Sequence, residues 1–300
     1  MADSKVDVSP EFHLAGKEPI DAHRAGEQKG SDMENRDLPD RKTDVTPATP
    51  GNLRIKLPER PEEVDQDAEY CSVWLDGEWR DIRFHDYAEI YRIPGMYEQL
   101  FHDILDCQSP DVIAKTLKEQ LQRDGYEAED LRVLDLGAGS GLIGEQLRSV
   151  GVGGLVGVDI IPEARDAAMA ERPSVYDAYH VADVTAPPEP VARALAEARF
   201  NTLCCVAALG YADIPPQAFR AAFNLISDGG WIAFTIKDRF LEDGDTSGFA
   251  RLIKACEDQG ILELRTSQRY RHRVNIAGEP LYYVAVVGTK KSDIPAELVS

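Results

Sequence analysis

The sequence predicts an α/β protein: a doubly wound, mostly parallel sheet ending in an antiparallel C-terminal hairpin, with an N-terminal extension in front. Three observations predict it. Apolar runs at 131–136, 154–159, 176–182, 200–208 and 230–236 alternate with helical patterns at about 141–150, 162–171, 188–198 and 215–227. Such alternation implies parallel strands joined by right-handed crossovers. The first three runs each close on an aspartate, Asp135, Asp159 and Asp183. Between the first run and its helix lies the glycine-rich stretch "DLGAGSGLIG", where the backbone can approach a ligand without Cβ interference.

Residues 1–60 mix acids, bases, Pro and Gly with few large apolar residues, which predicts a mobile acidic tail. Residues 61–108 read as a hairpin followed by lid helices. "CSVWLDGEWRDIRF" holds two β-prone runs around Asp76-Gly77, a hairpin signal. "HDYAEIYRIPGMYEQLFHDIL" is helical on both sides of Pro94-Gly95. A main domain is expected over 109–291. It starts with a helix that has Ser109 as N-cap, Pro110 at its first position, Val112, Ile113, Leu117 and Leu121 on one face and Gly125 at its stop. After the alternating region and a helix at about 247–259, "ILELRTSQRYRHRV" and "EPLYYVAVVGTKK" form the terminal hairpin at the sheet edge. Residues 292–300 remain as a C-terminal tail.

A formal charge of −20 repels phosphate backbones and anionic lipid, so neither nucleic acid nor membrane is an expected partner. The five cysteines are irregularly spaced and form no zinc pair; no metal site is expected, and Cys204 and Cys205 read as small buried hydrophobes. No basic segment followed by an apolar stretch opens the chain, and no apolar run is long enough to span a membrane, so a cytoplasmic protein is expected.

The glycine stretch carries two signatures. From Asp135 it is D-x-G-x-G-x-G with Gly137, Gly139 and Gly141; from Gly139 it is G-x-G-x-x-G, ending at Gly144. The second would suit a dinucleotide pyrophosphate, but it forces Asp135 and Gly137 into a strand interior, where an unpartnered carboxylate is costly. The first puts Asp135 at the strand exit, facing a ligand. Asp159 would grip ribose hydroxyls in either case, whereas Asp183 would accept from an adenine amine with Val184 lining the ring. A cradle of acids suits S-adenosylmethionine (SAM), whose sulfonium and ammonium are both positive.

With "VLDLGAGSG", "VGVDI" and "VADV" as its motifs, the chain resembles the class I SAM-dependent methyltransferases, whose Rossmann-like sheet has seven strands, the seventh antiparallel. "LDLGAGSGLIGEQL", "CVAALGYADIPPQAF" and "GGWIAFTIKDRF" resemble the Williams–Beuren-region methyltransferase-like group. The class resemblance implies that Gly137, Gly139 and Gly141 approach the methionine moiety and that Asp135 meets its ammonium. It gives Asp159, followed by Ile160, the ribose, and Asp183 and Val184 the adenine. Ala207, Ala208 and Leu209 would flank the sulfonium.

Methyl transfer relies chiefly on alignment, and a base is needed only where the acceptor must lose a proton. "AALGYADIPP" lacks the (Asp/Asn)-Pro-Pro-aromatic motif of base-amino methylases, which leaves a small-molecule acceptor. Tyr87, Tyr91, Tyr97 and His85 in the lid, and Tyr211 and Asp213 after the fourth strand, face that side; Tyr87, Tyr91 and Tyr211 are the candidate catalytic residues. The expected acceptor is amino-acid-like with a sulfur nucleophile, methionine above all, which likens the chain to bacterial methionine S-methyltransferases at class level. "RYRHR" at 269–273 would either bind the substrate carboxylate or balance nearby acids. N- or O-methylation with Tyr or His as base, and a non-catalytic SAM-binding module, are the alternatives. A homodimer is compatible with this reading.

Overall fold

The computed structural model describes residues 53–210, 213–241 and 245–299. Its first element corrects the boundary drawn at residue 60. Strand β1 (Ile55–Lys56) pairs antiparallel with β2 (Tyr70–Leu75), and β2 with β3 (Glu78–Arg83). A two-residue strand leaves no periodicity to read, but Leu53, Ile55 and Leu57 pack on the apolar cluster of this small sheet. A chain starting at residue 61 is therefore expected to melt about 5 °C below one starting at residue 53, since it loses about 2 kcal/mol of burial. Equal melting curves for the two truncations would refute this.

The hairpin is as expected. Asp76 and Gly77 have φ of 52° and 90°, the two positive values that a two-residue turn matched to strand twist requires. Helix α1 (Tyr87–Arg92) stops before Pro94, and a π-helical turn (Glu98–Ile104) follows.

The main sheet holds seven strands: β4 (Arg132–Leu136), β5 (Gly154–Asp159), β6 (Ala178–Val181), β7 (Thr202–Leu209), β8 (Trp231–Lys237), β9 (Leu262–Val274) and β10 (Pro280–Lys290). Their order is β6-β5-β4-β7-β8-β10-β9. β4 to β8 are mutually parallel, and β10 runs antiparallel to both β8 and β9. The antiparallel strand therefore lies inside the edge rather than on it. Its sequence explains why: Tyr283, Val284, Ala285, Val286 and Val287 are all buried, as a strand covered on both faces must be.

Helices α2 (Ser109–Asp124), α3 (Leu142–Val150) and α4 (Pro162–Glu171) contribute to the apolar layer on one face. α5 (Glu189–Glu197), α6 (Pro216–Asn224) and α7 (Phe249–Asp258) contribute to the layer on the other. Alternation along β8 sends Trp231 and Ala233 to the first layer and Ile232, Phe234 and Ile236 to the second. Gly125 caps α2 in the left-handed conformation as expected. Ser109 does not act as the N-cap: it lies inside the first turn, and its hydroxyl bonds Tyr270 and His272. The final residues are not a loose tail, because Ile294 and Val299 are buried and Arg220 and Asn224 both donate to the Ile294 carbonyl. No helix among the described residues is long and apolar enough to cross a membrane.

Candidate active site

Parallel strands deliver their carboxyl ends to one side of the sheet, and the site is built there. Directly after β4, Gly137 and Gly139 take φ of +72° and +54°, a region that side chains with a Cβ rarely enter. Space is equally restrictive. A Cβ on Gly137 would stand 2.8 Å from Ile214 Cδ1, and one on Gly139 2.5 Å from the Tyr91 hydroxyl. The loop is pinned by Asp159, whose Oδ2 accepts from the Gly139 N–H at 2.9 Å and whose Oδ1 accepts from the Ile161 N–H at 3.0 Å. The Tyr179 hydroxyl adds a bond of 2.8 Å to the Gly139 carbonyl.

Before these strand ends lies a cavity of about 910 Å³. Gly137, Asp159, Ile160, Asp183, Val184, Ala207, Ala208, Tyr87 and Tyr91 line it, so most of the expected site residues do converge. Ile160 is 63% exposed, a large apolar side chain left open as a plate for a flat ring. Val184 is buried beside it in the wall. Asp183 accepts from the Thr185 hydroxyl and N–H at 2.7 and 2.8 Å, which holds its carboxylate ionised at the rim, below the usual carboxylate range.

Four expectations need correction or fall away. Asp135 lies inside β4 and is 0% exposed; it accepts from the Tyr176 hydroxyl at 2.7 Å and does not line the cavity. Burial pushes its carboxyl up to about 7. Gly141 makes the left-handed entry into α3, with Tyr176 and Arg172 over it, and does not line the cavity either. Leu209 is buried in the apolar layer and does not line this cavity, but it lines a smaller void that meets the cavity at Ala207. Tyr211 lies outside the described residues.

The glycine loop nevertheless fits the predicted cofactor. Asp135 Oδ1 and Ser140 Oγ are buried side-chain atoms with no hydrogen-bond partner in the protein, and both belong to the loop's floor. A void of about 50 Å³ beside Gly137, Gly139 and Ser140 leaves room there for a polar ligand end. Acids outnumber cations around the main cavity: Asp86, Glu89, Asp159, Asp183 and Asp213 stand against Arg92, which is itself paired with Glu89 and Glu163. Such a lining suits a positively charged ligand.

Strand β7 breaks where it meets the cavity. Cys205 pairs with Phe234 and Leu209 with Ile236, so Val206, Ala207 and Ala208 together oppose Thr235. Ala207 sits at φ 55°, the one positive-φ residue inside a strand among the described residues. Its N–H donates to the buried Thr235 hydroxyl at 2.8 Å, which replaces the ladder bond lost at the bulge. Strained backbone of this kind persists only where its surroundings fix it.

The lid is tied down as well. Arg92 reaches Glu163 at 2.6 Å, and the Gly95 N–H donates to Glu171 at 2.7 Å. Arg172, buried, binds Glu98, Glu145 and Glu171 together. Tyr87 stacks on Tyr91 and Tyr91 on Tyr97, with ring centroids 6.3 and 5.0 Å apart. Burial pushes all three phenols above their ordinary range, so they stay protonated at neutral pH.

A pair of titratable groups stands elsewhere on the wall. His85 Nδ1 is 3.9 Å from Asp213 Oδ2, and both residues line the cavity. Burial lowers the His85 pKa; Arg273 and Arg83 act the same way, Asp67 and Glu69 against it. Its imidazole is therefore neutral at pH 7. Burial, then the Asp159 charge, pushes the Asp213 carboxyl up to about 6. The pair joins β3's exit to the loop after β7, and no spacing in the sequence relates the two. The "RYRHR" arginines are committed to acids: Arg269 to Asp238 at 3.0 Å, Arg271 to Asp106 at 2.5 Å and Arg273 to Glu69 at 2.6 Å.

A family model described as a methyltransferase domain matches residues 105–289. Comparison with curated proteins gives no match in sequence. Solved structures that this chain resembles include magnesium protoporphyrin IX methyltransferase from Synechocystis PCC 6803 with bound SAM, at 13% identity over 59% of this chain and 78% of that one, TM-score 0.42. Another is a SAM-dependent methyltransferase from Mesorhizobium loti, at 17% identity over 57% and 96%, TM-score 0.40. A third is the ribosomal protein L11 methylase from Lactobacillus delbrueckii subsp. bulgaricus, at 15% identity over 60% and 77%, TM-score 0.40.

Proposed function

Since the chain belongs to this methyltransferase domain family and is a class I SAM-dependent methyltransferase, we propose that it methylates the nitrogen of a small amine. The observation that carries this reading is the neutral His85 beside Asp213 on the cavity wall. SAM, when bound, supplies an electrophilic methyl group and leaves as the neutral thioether S-adenosylhomocysteine (SAH). Asp159 holds the glycine loop and would accept from the ribose, Ile160 and Val184 would cover the adenine, and the acids of the lining would favour the two positive charges.

An amine reaches the site as an ammonium ion, drawn by Asp213. His85 takes its proton, and the freed lone pair forms the N–C bond as the C–S bond breaks. The methylated ammonium then keeps its positive charge against Asp213 while His85 passes its own proton to water. Proton removal of this kind contributes about 10²–10⁴ in rate.

Methionine, the acceptor expected from sequence, needs no base but does need a cation for its carboxylate. The arginines meant for that role already hold Asp238, Asp106 and Glu69, which favours the amine. The formal charge of −20 supports a small acceptor over nucleic acid.

Release of SAH from SAM in the presence of a panel of small amines, with methionine alongside, tests the reading. Turnover on an amine is expected; S-methylmethionine as the sole product would overturn it. With an active amine, kcat/KM is expected to rise with pH through a midpoint below 6.5, where His85 loses its proton. His85→Gln is expected to lower kcat about a hundredfold and to leave only the shallower limb set by Asp213, near 6. A profile unchanged in the variant would exclude His85 as the base.

A further inference from the structure

We propose that a side chamber beyond Ala207 is the seat of the acceptor, and that it admits an amine of about four non-hydrogen atoms. The inference rests on the N-methylation reading above. Three voids meet at Ala207: the main cavity, the small void beside the glycine loop, and a chamber of about 50 Å³ toward β9 and β10. The two ends of the cofactor account for the first two. The third has no other claimant, and it shares His85, Tyr87, Tyr97, Ala207 and Asp213 with the main cavity. A nucleophile at its mouth is thus beside both the proton acceptor and the strained end of β7.

One side of the chamber faces β9 and β10. Its far wall is the His272 ring against Tyr283, with centroids 4.0 Å apart. His272 cannot swing away, because its Nδ1 bonds the buried Ser109 hydroxyl at 2.6 Å and lies 3.7 Å from Cys107 Sγ. A water-sized group occupies about 10–15 Å³ of such volume, so the chamber takes about four: the nitrogen at the mouth and three carbons behind it. Asp213 and the aromatic faces of Tyr87, Tyr97 and Tyr283 suit a small ammonium. Arg273 closes one corner with its charge balanced by Glu69.

The roof comes from a segment outside the family match. Gln66, Phe84, His85, Tyr87, Tyr97 and Phe101 all precede residue 105, where that match begins. The roof is fastened to β8, the turn after it and β9 by Gln66 to Lys237 at 2.6 Å, Asp67 to Arg239 at 3.5 Å and Glu69 to Arg273. The shared domain supplies His272 and Tyr283 at the back of the chamber, while this chain's own extension supplies the roof over it.

Calorimetry on the full chain saturated with SAH, titrated with methyl-, propyl- and hexylammonium chloride, tests the chamber. Propylammonium is expected to bind at least tenfold more tightly than hexylammonium, with 1-propanol failing to compete. Gln66→Ala, a half-buried roof position, is expected to erase the cut-off without changing SAH affinity. Affinity independent of chain length, or a cut-off that survives in Gln66→Ala, would overturn the chamber. A cut-off with no methylation of any amine would support the chamber and overturn the reaction assigned to it.

Discussion

Replacing Asp159 with alanine is expected to lower SAM affinity at least a hundredfold. Two losses combine. The bonds proposed from the carboxylate to the ribose hydroxyls would go, and a charge-assisted pair of this kind is worth about 2–3 kcal/mol. Asp159 is also what fastens Gly139 and Ile161 to the strand end, so the cradle loosens even before ligand arrives. Asp159→Asn keeps one acceptor oxygen and is expected to fall between wild type and alanine. Calorimetry with SAM measures both variants, and unchanged affinity in Asp159→Ala would contradict the role given to this residue.

The largest expected loss of stability is at Glu69. This carboxylate is 1% exposed, binds Arg273 at 2.6 Å and accepts from the Ile276 N–H at 2.8 Å. Glu69→Ala leaves a buried guanidinium and a buried N–H without their acceptor, which costs about 3–5 kcal/mol. Urea denaturation gives the value. A loss under about 1 kcal/mol would mean that water takes over both bonds. Glu69→Gln retains an acceptor for Ile276 and is expected to be less damaging, though Arg273 still loses its counter-charge.

The parallel part of the fold was legible because its strands are covered on both faces and its helices on one, so periodicity changes at each boundary. Strand order was less so. Nothing in "EPLYYVAVVGTKK" says that it slips between β8 and β9, except that its apolar residues run without alternation. Within the site, legibility followed chain proximity. Gly137, Asp159, Ile160, Asp183 and Val184 each lie at or just past the end of a strand, and the register of the parallel strands brings them to one cavity. Asp135 was read at the right place in its strand, but its full burial was not legible: one carboxylate oxygen meets Tyr176, from 41 residues away, and the other is left unpartnered under the loop. His85 and Asp213 were each read on the substrate side, but their pairing and the Ala207–Thr235 bond were not legible. They join residues from separate segments, and a bulge changes direction in a way no local pattern announces.

Strand β9 has a further consequence, for the behaviour of the protein in concentrated solution. It is the outermost strand of the main sheet and thirteen residues long, a row of backbone groups on which a neighbouring molecule could add a strand. Self-association through it is opposed by the residues it carries. Glu263, Arg265, Arg269 and Arg271 are charged positions along it, and its pairing with β10 is broken by irregularities between Leu281 and Tyr282 and between Val287 and Gly288. Charge makes a second strand costly to dock, and the breaks twist the edge out of a flat template. Arg265, Arg269 and Arg271, with Glu263, thus guard a long open edge, and replacing them with apolar residues would be felt first as self-association.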